Sequence, residues 1–76
     1  MNRRWVVQNL TETIEHLQTA IDRIEDGGGV TALEAGIIAA YLDLNRAWNG
    51  RNCRSISKAC ANERLVRFPT DLPGFD

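Results

Sequence analysis

The chain has 76 residues, 43% of them hydrophobic and 25% charged, with a formal net charge of −1. That length sets a single domain, 1–76, with a small core, and that composition is not that of a disordered chain. Near-neutrality leaves no global field to draw the chain to nucleic acid or to a membrane surface.

The opening Met1-Asn2-Arg3-Arg4-Trp5-Val6-Val7 is too poor in apolar residues for a secretory signal. No stretch approaches the roughly 18 apolar residues of a membrane span. The expected address is the cytoplasm, with no membrane partner, where Cys53 and Cys60 stay reduced. Val7, Leu10, Ile14, Leu17, Ile21 and Ile24 then follow at spacings of 3, 4, 3, 4 and 3, a heptad seam of large aliphatic side chains. This predicts a first helix over about 3–26. Asn9 with Glu12 offers a capping box for a later start. Gly27-Gly28-Gly29 stops the helix and forms a turn over 27–30.

Thr31, with Glu34 at the capping-box position, opens a second helix over about 31–49, stopped by Asn49-Gly50. Leu33, Ile37, Ala40, Tyr41, Leu44, Ala47 and Trp48 form one broad face, which is expected to meet helix 1 across the turn. Ala35, Ile38, Ala39 and Leu42 form a second stripe that needs another cover. Ser55 or Ser57 caps a short third helix over about 56–67, and an extended tail, 68–76, either docks through Leu72 and Phe75 or frays. The fold class is therefore all-α: an antiparallel helical hairpin with a short C-terminal helix and an extended tail. A two-helix hairpin has too little core by itself, so the expected assembly is a homodimer closing a four-helix bundle. A monomer completed by its own tail is the rival.

The charge is unevenly spread. Residues 1–45 carry a net −4 and residues 46–76 a net +3. The basic segment, with Arg46, Arg51, Arg54 and Lys58 as candidate anion contacts beside Trp48, has the residue types of a phosphate or nucleic-acid surface. The plain alternative is a set of cations that solvate the end of helix 2 and pair with acids of helix 1, and nucleic acid is not the expected partner. Glu12 and Glu15 are spaced to share a divalent ion, as in all-α nucleotide pyrophosphohydrolases, but they lie opposite the aliphatic seam. Glu34 and Asp43 lie on opposite flanks of helix 2. A solvated face explains them better. Cys53, Cys60 and the single His16 lack zinc-site spacing. No catalytic residue, metal or cofactor is assigned, and the chain is read as a non-enzyme.

Tyr41-Leu42-Asp43-Leu44-Asn45-Arg46-Ala47-Trp48-Asn49-Gly50-Arg51, with Phe68-Pro69-Thr70-Asp71-Leu72, resembles small bacterial helical proteins. In those, an A-W-N-x-R segment closes a helix and an R-F-P-x-D segment closes the chain. The resemblance carries no activity. It points to Asn45, Trp48, Asn49, Arg51, Arg67 and Phe68, of which Trp48 and Asn49 are as well suited to tail docking as to ligand contact. The expected function is a helical protein–protein interaction module, with Ile38, Leu42, Trp48 and Asn49 as candidate contacts. The alternative is a phosphate-ligand or nucleic-acid binder through Arg46–Arg67.

Overall fold

A computed structural model describes residues 1–74. Phe75, one of the expected tail anchors, lies outside the described residues. The described chain is all-helical: α1 (Arg3–Glu25), α2 (Gly29–Asn49) and a short α3 (Lys58–Glu63). The two long helices pack against each other as an antiparallel hairpin.

Helix α1 starts where Asn2 caps it, its side-chain carbonyl accepting from the Trp5 amide at 3.1 Å. Asn9 is not a cap but an interior residue. The helix ends in a Schellman motif: the Gly27 amide donates to Ile24 O (3.0 Å) and the Gly28 amide to Arg23 O (2.7 Å). Gly27 and Gly29 both have positive φ, 92° and 61°, which side-chain-bearing residues rarely adopt. Two consecutive reversals make so tight a turn that α2 begins at Gly29 rather than after Thr31, with Gly28 as its N-cap.

The packing between the helices corrects the expected arrangement. The aliphatic seam does not face α2. The contact is instead made by small and polar residues: Asn9, Thr13 and Ala20 on α1, and Ala32, Gly36, Ala40, Asp43 and Ala47 on α2, all buried. Gly36 marks the closest approach. A Cβ there would lie 2.4 Å from the Cβ of Ala20, so any side chain would wedge the helices apart. Asn9 and Thr13 cost little because they bond to their own helix. Asn9 Nδ2 donates to Trp5 O (2.9 Å) and Thr13 Oγ1 to Asn9 O (2.8 Å). Gly36 thus serves approach by α1, while Ala35 stays exposed and Ala39 half-buried.

After α2 the chain doubles back. Ser57 caps α3 by accepting from the Cys60 amide. The helix stops at Glu63, short of the expected 67. Beyond it the carbonyls of Leu65, Val66 and Arg67 are taken by side-chain amides of α2: Asn49 Nδ2 donates to Leu65 O (2.9 Å) and Arg67 O (2.7 Å), and Asn45 Nδ2 to Val66 O (2.9 Å). Leu65 and Pro69 are buried beneath this strap. At the other terminus Trp5 Nε1 donates to Arg46 O (2.7 Å) and Asn2 Nδ2 to Cys53 O (2.7 Å), which fastens the start of α1 to the end of α2. Gly50 makes room for that indole; a Cβ there would sit 2.3 Å from Trp5 Nε1.

Candidate functional site

With small residues turned inward, the large ones are left outside. On α1, Val7, Leu10, Ile14, Leu17, Ile21 and Ile24 are all exposed, Ile14 at 67%. On α2, Val30, Leu33, Ile37, Tyr41 and Leu44 are exposed too, Val30 at 77%, whereas Ala40 is only 6% exposed. At 100° per residue each set lies to one side of its helix's buried line. Because the helices run antiparallel, those two sides coincide. The result is one two-helix aliphatic face running the length of the hairpin.

The total surface is large for the mass of the chain. The chain exposes 5749 Å², whereas a folded monomer of its mass is expected to expose about 4,700 Å². The excess of about 1,000 Å² is comparable with the roughly 800 Å² that each partner contributes to a standard protein interface. The Cα radius of gyration, 13.7 Å, likewise exceeds the value of about 11 Å for a compact chain of this length.

At the open end of the hairpin the face deepens into an apolar groove of about 630 Å³ between Leu10, Tyr41, Leu44 and the returning tail. Phe68 stacks on Tyr41 there, ring centroids 6.5 Å apart. Trp48, Pro69 and Leu72 complete the wall.

Residues 41–51 and 68–72 meet at this wall. Trp48 Nε1 donates to Asp71 Oδ1 (3.0 Å), Arg51 Nη2 donates to Asp71 Oδ2 (3.2 Å), and the Arg51 guanidinium lies 3.8 Å above the Trp48 ring. The indole and guanidinium donors hold the Asp71 carboxyl below its ordinary value, the Trp48 hydrogen bond contributing most. Trp48, Asn49 and Arg51 are thereby engaged in fastening the tail.

The remaining nominated residues are dispersed. Ile38 is exposed and Leu42 half-buried, and by helical angle both lie away from the aliphatic face. Arg46 is folded inward: Nε donates to Ala61 O (3.0 Å) and Nη1 to Asp43 Oδ1 (3.0 Å). Arg46 and Arg51 are committed to partners within the chain, while Arg54, Lys58, Arg64 and Arg67 are exposed.

Sequence reading missed the role of Asp43. Its side chain is 4% exposed; Oδ1 is held by Arg46, while Oδ2 has no well-aimed donor and lies 3.2 Å from His16 Nε2 across the helix pair. The contact becomes an ion pair when the imidazole is protonated. The available signal was Asp43 and Arg46 at i,i+3, but nothing local placed His16 opposite. Glu12 and Asp22 each accept from a glutamine on their own helix, Gln8 and Gln18. Among the described residues no group of three or more His, Cys, Asp or Glu is placed to hold a metal ion. No helix there is long and apolar enough to cross a membrane. Cys53 and Cys60 are unbridged.

Comparison with protein families, with curated proteins and with solved structures gives no match for this chain.

Proposed function

We propose that this chain is a non-enzymatic helical interaction module that self-associates through its open aliphatic face, two hairpins closing into a four-helix bundle. One observation carries the reading: close packing through Gly36 and alanines turns a full-length heptad seam outward, where water contact is unfavourable. Burying this face would supply the apolar core that the hairpin lacks. The contacts are therefore the seam residues of α1 with Leu33, Ile37, Tyr41 and Leu44, in place of the stripe around Ile38 and Leu42. The module belongs in the cytoplasm, where unbridged Cys53 and Cys60 are the stable form.

Light scattering on the eluting protein tests this. The expected mass is twice the 8.5 kDa of one chain. Ile14→Asp and Ile37→Asp should each yield monomers of reduced helicity, whereas Ile38→Asp should leave the dimer intact. A wild-type monomer at 100 µM, or a dimer indifferent to Ile14→Asp, would refute the proposal.

A further inference from the structure

Two twofold arrangements place one such face on another: turns at the same end, or turns at opposite ends. We infer that the two copies lie with their turns at opposite ends, the acidic glycine turn of each hairpin over the basic open end of the other. This inference rests on the self-association proposed above and adds its polarity.

Charge is the first ground. Folding converts the uneven charge of the sequence into an end-to-end dipole. Near the turn stand Asp22, Glu25, Asp26 and Glu34 against Arg23 alone. At the open end stand Arg3, Arg4 and, because the hydrogen bonds of Asn45, Arg46 and Asn49 tie the C-terminal segment there, every base from Arg46 onward, against Glu63 and Asp71. Opposite-end pairing sets unlike charges together twice, while same-end pairing sets like charges together twice.

Shape is the second. The groove beside Tyr41 and Phe68 is an apolar recess at the open end, and the turn presents Val30, the most exposed aliphatic residue of the hairpin. Opposite-end pairing brings that projection to the recess; same-end pairing leaves recess facing recess.

The third is the seam itself. Its spacing, 3-4-3-4-3, reads the same in both directions, as an isologous contact between antiparallel copies of α1 requires. In register, Val7 meets Ile24 of the second copy, Leu10 meets Ile21 and Ile14 meets Leu17, an aliphatic pair at each level.

The test is a distance and a salt series on the full chain. Asp26→Cys, in a Cys53→Ser, Cys60→Ser background confirmed by mass and circular dichroism, carries one nitroxide at each turn. Opposite-end pairing separates the two labels by about 35 Å, the length of a helix of this size, and same-end pairing by about 20 Å, two helix diameters. On the unlabelled protein, raising sodium chloride from 50 to 500 mM should weaken dimerisation about fivefold, since screening removes attraction between unlike ends. A dimer whose labels lie near 20 Å, or whose affinity is unchanged or tightened by salt, overturns the inference but leaves the proposed function standing. A monomer overturns both.

Discussion

Gly36 and Asp43 decide how the helices meet, and each makes a distinct prediction. Any β-carbon at position 36 collides with Ala20, so Gly36→Leu must separate the helices. Overpacking of this kind costs about 1–3 kcal/mol, read as a lower urea midpoint. Asp43 holds Arg46, which in turn holds the carbonyl of Ala61. Asp43→Ala should cost about 2 kcal/mol, the value of a hydrogen bond to a charged group, and should loosen α3, seen as faster amide exchange around Ala61. Neither role was legible locally. A glycine inside a helix pattern and an aspartate beside it read as a gap and a flank until the opposing helix supplies Ala20 and His16.

The strap from Leu65 to Leu72 is held by α2 through side-chain amides and one carboxylate, so it should respond to single substitutions and to acid. Asn49→Ala removes the donors to Leu65 O and Arg67 O and should release the strap while the hairpin stays helical, detectable as proteolysis confined to the C-terminal third. Asp71 is held below its ordinary value of 3.8 by Trp48 and Arg51. A carboxyl lowered in the folded state contributes stability above its unfolded value that is lost as pH falls through the folded one. The strap should therefore undock progressively below about pH 4, reported by Trp48 fluorescence, and Asp71→Asn should flatten that response. The shortened α3 belongs to the same scale. Capping by Ser57 could be read from the chain, but the capture of three carbonyls by Asn45 and Asn49 required the strap to be in place.

An isolated hairpin that buries alanines, a leucine and polar groups has little apolar burial to set against chain entropy. Association adds the missing core, so stability and assembly become one equilibrium. The melting temperature should rise with protein concentration across 1–100 µM, and Ile14→Asp should abolish that dependence together with the dimer. A melting temperature independent of concentration in a wild-type dimer would mean that the face is not what stabilises the fold.

The sequence by itself determined the secondary structure: two long helices, the triple-glycine bend, the absence of an apolar span, and the uninterrupted aliphatic ridge along α1. Periodicity identifies which side chains share a stripe, because geometry within one helix is local. What covers the stripe is not local. Only the tertiary structure decided that glycine and alanine face inward while the ridge faces outward, since that choice depends on how closely two backbones approach and on which buried polar groups find partners when they do.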